Sequence, residues 1–191
     1  MYRLLLILFI NICIISCTPL QLPQYEVWHV ITIEDEFTDV STKIVTVAGG
    51  TPLHLYPFIG IREGELFVGI RSGGKIKVPT GQVQIRIDNN KTWSISPEET
   101  PLHYIPQQSL KINQNIELQE NIYEQMVRMM SPFTAAIGDK AKAIVKEMLS
   151  GKEIIYRSIG FNQSGSTGRY PIDESFYKAM RQIGITPNSF N

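Results

Sequence analysis

The chain has 191 residues, enough for one ordinary domain. It carries 18 Lys and Arg against 18 Asp and Glu, with no basic block, which argues against a nucleic-acid partner that would need clustered cations. Cys13 and Cys17 are its only cysteines, too few for a Cys-type zinc site.

The chain opens with Met1-Tyr2-Arg3, one side-chain positive charge beside the amine. An apolar run over residues 4–15 follows, broken only by Asn11. It is too short to span a bilayer as a mature helix, which needs about 20 apolar residues. It fits the core of a secretory signal, about 7–15 residues long behind a basic start. The run closes on Ile14-Ile15-Ser16-Cys17, which resembles the lipobox of bacterial lipoproteins. The resemblance implies lipid transfer to the Cys17 thiol, cleavage after Ser16 and acylation of the new amine. Thr18 in place of Asp implies sorting to the outer membrane, facing the periplasm. Residues 1–16 then form the signal peptide, 17–24 a lipidated tether with Pro19 and Pro23, and 25–191 a single envelope domain. Cys13 would leave with the signal, so the mature domain has no pair for a disulfide. No later run is long and apolar enough to cross a membrane.

Residues 25–33 alternate, with Tyr25, Val27, His29, Ile31 and Ile33 against Glu26, Trp28, Val30 and Thr32. Their β-branched and aromatic content predicts a strand. The acidic stretch Glu34-Asp35-Glu36 ends it. Residues 41–47 form a second strand, stopped by Gly49-Gly50, and residues 51–58 a shorter one. Residues 66–71 form a clear strand, which Ser72-Gly73-Gly74 should turn into a strand over 75–78. Val83, Ile85 and Ile87 alternate with Gln84, Arg86 and Asp88, the cleanest half-buried strand in the chain. Asn89-Asn90 turns it toward a strand over 91–95. Short strands at this spacing predict a sandwich or barrel.

The second part changes character. Residues 118–130 and 133–149 have helical periodicity, and Phe133, Ile137, Ala141, Ile144, Val145, Met148 and Leu149 share one broad face. Ser131 is the expected N-cap before Pro132 at the first helical position, and Gly151 the C-terminal cap. Residues 153–161 return to strand. A Gly/Ser-rich loop over 164–168 leads to a strand at 170–172. Asp173 should cap a last helix over 174–183, ended by Gly184. The fold expected is α+β, an antiparallel β-sandwich-like sheet with C-terminal helices. Trp28 is expected to pack between the sheet and the helix over 133–149.

This order of features resembles a family. Trp28 lies in the first strand, then come an acidic stretch over 34–39, the strand over 66–74, Val83 to Asp88, and Trp93. Later come a helix, residues 153–157, and an end with Ala179, Gly184 and Ile185. It is similar to the periplasmic β-sandwich domains of type VI secretion-associated accessory proteins, and more distantly to invasion-associated locus B proteins. Those domains also place an Arg-x-Asp at the end of a middle strand, as Arg86 and Asp88 do here. They often carry a Cys in the strand occupied here by residues 66–71, where this chain has none. The resemblance implies an envelope accessory or binding role.

Candidate chemistry is sparse. His29, His54 and His103 lack a paired helical spacing, so they are read as structural. Glu34, Asp35, Glu36 and Asp39 lack the spaced pattern and Gly of a calcium loop, so they are read as a solvated turn. Ser72-Gly73-Gly74 and residues 165–168 are either anion-holding amides or loop punctuation. Alternation places Arg86 and Asp88 on one solvent-facing side of their strand. They form either a surface ion pair, or, with Arg157, a site that recognises a carboxylate or a partner's edge. Trp28, Arg86, Asp88 and Arg157 are thus the candidate binding residues, with no catalytic residue, metal or cofactor expected.

The functional expectation is a non-enzymatic envelope lipoprotein. The membrane is reached through the lipid on Cys17, and the domain binds another envelope protein or a cell-wall component. The alternatives are a peptidoglycan- or glycan-directed hydrolase, which needs paired carboxylates or a metal, and a mobile-element surface-exclusion lipoprotein.

Overall fold

The structure is a computed structural model and describes residues 27–35, 39–47, 53–73, 76–101, 120–159 and 165–190. The expectations placed on Cys17, Glu36 and His103 lie outside these residues. Among the described residues, nine strands form two antiparallel sheets, with three α-helices, so the fold is α+β and sandwich-like as expected.

The first sheet holds β1 (Trp28–Glu34), β2 (Ser41–Val47), β3 (Leu55–Arg62), β4 (Glu65–Ser72) and β7 (Phe133–Ile137), in the order β1-β2-β3-β4-β7. The second holds β5 (Gln82–Ile87), β6 (Trp93–Ile95), β8 (Glu153–Ile159) and β9 (Gly165–Pro171), in the order β6-β5-β8-β9. The helices are α1 (Glu120–Met129), α2 (Gly138–Ser150) and α3 (Glu174–Gln182).

The register explains the core. Val45, Ile59, Val68 and Ala136 form one cross-strand row of the first sheet, all buried. They join Val83, Ile85, Ile87, Ile154 and Tyr156 of the second sheet, and Ile144, Val145, Met148, Phe176 and Met180 of α2 and α3, in one apolar cluster. The opposite face of the first sheet is apolar as well. Ile44, Phe58, Phe67 and Ala135 are buried there in a second cluster, with Phe58 edge-on to Phe67 and Phe133. A sheet covered on both sides has near-continuous apolar strands. That accounts for β1, where Trp28 and Ile31 lie on opposite faces and join different clusters.

Three expectations are corrected. Residues 133–149 are not one helix. Phe133–Ile137 pairs with β4, from Arg71 opposite Phe133 to Phe67 opposite Ile137, and the helix begins only at Gly138. Gly138 has φ +59, a left-handed backbone that breaks the chain direction. Ser131 caps no helix; its hydroxyl donates to the Phe133 carbonyl and accepts from the Phe133 amide, shaping the entry to β7. No strand forms over residues 76–78, because Ser72 uses its hydroxyl to accept the Val78 amide in a loop.

Gly151 does follow α2 but has φ −91, so left-handed geometry is not its role. A Cβ there would stand 2.3 Å from Ile87 Cγ2, so Gly is required for close packing of the helix end on β5. Asp173 caps α3 as expected, accepting the amides of Ser175 and Phe176. Gly184 closes it at φ +84.

Candidate arginine face

The second sheet has one buried face and one open face. Along β5, Val83, Ile85 and Ile87 are buried while Gln82 and Arg86 are exposed. In β8, Ile154, Tyr156 and Ser158 point in and Arg157 points out. Alternation of side chains across a strand dictates this split.

The register gathers the outward residues. Gln84 lies opposite Arg157, and Arg86 opposite Ile155, so Arg86 and Arg157 are diagonal neighbours on adjacent strands. Ile155 also lies opposite Arg169 of β9. Arg86 and Arg169 therefore flank Ile155, with backbones roughly 10 Å apart at two strand spacings. Arg169 is tied to Glu153 by a 2.6 Å ion pair. Among the described residues, Arg86 and Arg157 have no salt-bridge partner. Two free guanidinium forks thus sit on one firm surface beside a half-buried isoleucine, a geometry suited to planar acceptors such as carboxylates.

Asp88 does not belong to this face. It follows β5 at φ +50, where strand alternation has ended. Its carboxylate accepts the Lys152 amide at 3.1 Å and the Glu153 amide at 2.9 Å, fastening the end of β5 to the start of β8. The expected pairing of Arg86 with Asp88 on one face is corrected accordingly. Trp28 is equally remote from solvent, at 1% exposure. Its ring meets Phe176 of α3 edge-on at 5.1 Å, and its Nε1 donates to the Pro171 carbonyl at 2.7 Å. It is buried as expected, and the helix that its ring meets edge-on is α3.

The other motifs have local uses. The backbone amides of Ser72 and Gly73 donate to the carbonyls of Pro132 and His54, so they hold no anion. Residues 165–168 are strand, not loop, and Gly168 is needed because a Cβ would strike the Tyr156 ring at 2.3 Å. Asp35 faces Arg62 at 3.9 Å, and its carbonyl accepts the Asp39 amide across the turn. His54 Nε2 lies 3.3 Å from the Tyr170 hydroxyl. Among the described residues, no three His, Cys, Asp or Glu side chains are grouped to hold a metal ion.

Sequence reasoning missed Arg169, because the Gly-rich run before it reads as loop. It also missed a second basic group. Arg71 lies opposite Tyr56 in the register, and burial lowers its pKa. Burial, and then the Arg71 charge, lowers the pKa of both His29 and Lys77.

No family model, curated protein or solved structure matches the chain.

Proposed function

We propose that this chain is an envelope lipoprotein, anchored through Cys17, whose domain binds a carboxylate-bearing envelope protein or cell-wall component through Arg86 and Arg157. The observation that carries the reading is that Arg86 and Arg157 share one exposed sheet face and, among the described residues, have no salt-bridge partner. A lone exposed ion pair contributes only about 0–1 kcal/mol. Binding therefore depends on both forks acting together, with Ile155 and Thr167 supplying contact around them. Arg anchors that become desolvated in an interface are worth about 2 kcal/mol or more. Attachment by lipid confines the domain to the membrane surface and raises its effective concentration against neighbours there.

Capture from crosslinked envelopes tests this reading. The wild-type chain should retain a discrete partner or cell-wall fragment, and the Arg86→Ala/Arg157→Ala double variant should lose at least tenfold of it. Equal recovery by the two chains contradicts the assignment of the site. Metabolic labelling with a fatty acid tests the anchor separately. Labelling of a Cys17→Ser variant at the wild-type level contradicts it.

A further inference from the structure

Two polar groups of the first sheet are left unsatisfied. Arg71 is half-buried, yet among the described residues it has neither a hydrogen bond nor an ion pair. A guanidinium drawn out of water without a counter-charge is costly, and buried charges are ordinarily paired. His29 Nδ1 is buried and has no hydrogen-bond partner among the described residues, although buried polar atoms are nearly always bonded.

The register puts both groups on one face. His29 lies opposite Thr46, Thr46 opposite Phe58, and Phe58 opposite Gly69. Arg71 follows Gly69 by two residues, so its side chain leaves the sheet on the same side. It also lies opposite Phe133, which packs against Phe58 on that face. The loop after β4 delivers a third group. Ser72 Oγ accepts the Val78 amide at 3.0 Å, while the Ser72 and Thr80 amides donate to the Pro132 and Ser131 carbonyls. The loop is therefore fastened at both ends, and Lys77 returns alongside Arg71. After burial, the Arg71 charge is what lowers the pKa of both His29 and Lys77. Charges farther apart than about 10 Å are largely screened near a surface, so the three groups are close.

The chemistry of the set selects its ligand. Arg71 and Lys77 supply two positive charges, one as a planar fork and one as a point donor. His29, with its lowered pKa, is a neutral ring at neutral pH and donates one N–H. A carboxylate offsets only one of the two charges. A phosphate monoester carries about −1.5 to −2 and three acceptor oxygens at neutral pH, one for each donor. We propose that Arg71, Lys77 and His29 form an anion site that binds a phosphate group, on a soluble phosphate or on a lipid headgroup. The site lies on the first sheet and is independent of the arginine face of the second.

Thermal melts and calorimetric titrations of the full chain, in neutral detergent at neutral pH and constant ionic strength, test the proposal. Inorganic phosphate should raise the melting temperature and bind one to one, with a dissociation constant below about 1 mM. Acetate at the same concentration should do neither. Arg71→Gln should weaken phosphate binding at least tenfold. It should melt no lower than wild type without phosphate, because it removes a charge that has no counter-charge. Should Arg71→Gln fail to fold, Lys77→Gln decides, since Lys77 is exposed and its replacement spares the core; it should weaken binding several-fold. Arg86→Ala/Arg157→Ala should bind phosphate like wild type, which separates this site from the arginine face. Dihexanoyl phosphatidic acid and glycerol 3-phosphate distinguish the sources. Binding of the first at least tenfold tighter assigns a lipid headgroup, and equal binding assigns a soluble phosphate. No response of the wild-type chain to phosphate well above about 1 mM overturns the proposal. So does an undiminished response from Arg71→Gln or Lys77→Gln, and so does acetate binding as tightly as phosphate.

Discussion

Trp28 joins the start of the domain to its end, and removing it should expose how much that closure contributes. The residue is 1% exposed, and its ring meets Phe176 at 5.1 Å. It also ties β1 to the chain's last helix and strand twice, through Nε1 to the Pro171 carbonyl at 2.7 Å and through its amide to Ser175 Oγ at 3.0 Å. Trp28→Ala empties a buried aromatic site, for which the cost is about 3–5 kcal/mol. Trp28→Phe keeps most of the ring but loses the Nε1 donor. It should cost about 1–2 kcal/mol, one hydrogen bond plus a smaller residual void. Urea melts followed by circular dichroism measure both, and with a slope near 2 kcal/mol/M the alanine variant's midpoint should fall by roughly 2 M. An alanine variant that loses less than about 1 kcal/mol with unchanged slope refutes the packing described here. Phenylalanine equal to alanine would show instead that the indole N–H, and not ring burial, carries the effect.

Gly151→Ala should destabilise by about 1–3 kcal/mol, because its Cβ meets Ile87 Cγ2 at 2.3 Å in a packed core; a thermal melt showing a gain in stability contradicts this. Asp88→Ala should cost about 1–2 kcal/mol through the orphaned amides of Lys152 and Glu153, while Asp88→Asn, which tolerates the left-handed backbone, should cost less. Chemical denaturation of the two variants checks the order. Burial, and then the neighbouring Tyr170 and Tyr56, hold the Tyr156 hydroxyl's pKa well above its ordinary value of about 10. The unfolded chain therefore releases this proton first as pH rises, so stability is intact below about pH 10 and falls above it. Melts at rising pH should show that decline, and Tyr156→Phe, less stable at neutral pH, should show a shallower one.

Much of the fold was legible because local pattern and tertiary pairing agree. Val83, Ile85 and Ile87 alternate with polar residues, and the structure buries those three and opens the other face. Asp173 and Gly184 read as helix boundaries because each has one dominant local use, as side-chain acceptor and as left-handed turn. Phe133 to Ile137 misled for a physical reason. Phe133 and Ile137 are spaced like the helical residues that follow, so the helical period extends smoothly back through them. Pairing with β4 overrides that period, and Gly138 was the signal that the run divides. Strand parity put Arg86 on the open face, but its adjacency to Arg157 depends on β5 pairing with β8, a contact between residues about 70 apart in sequence. Asp88 was misassigned because parity lapses one residue past the strand. Arg169 was hidden by Gly165 and Gly168, whose place in a strand makes sense only once the Tyr156 ring is seen to fill the space of a side chain. For α1, the amphipathic pattern is plain in the sequence, but which face turns outward is decided by Arg128 reaching the Glu98 carbonyl.

The central claim is that paired guanidinium groups on the open sheet face recognise carboxylates, and blocking those carboxylates tests it most directly. Envelopes are treated with a carbodiimide and a neutral amine to convert accessible carboxylates to amides, and capture by the wild-type chain is compared before and after. The account predicts that amidation reduces capture to the level of Arg86→Ala/Arg157→Ala, that the double variant is insensitive to the treatment, and that raised salt weakens only wild-type binding. Capture that survives amidation undiminished contradicts it.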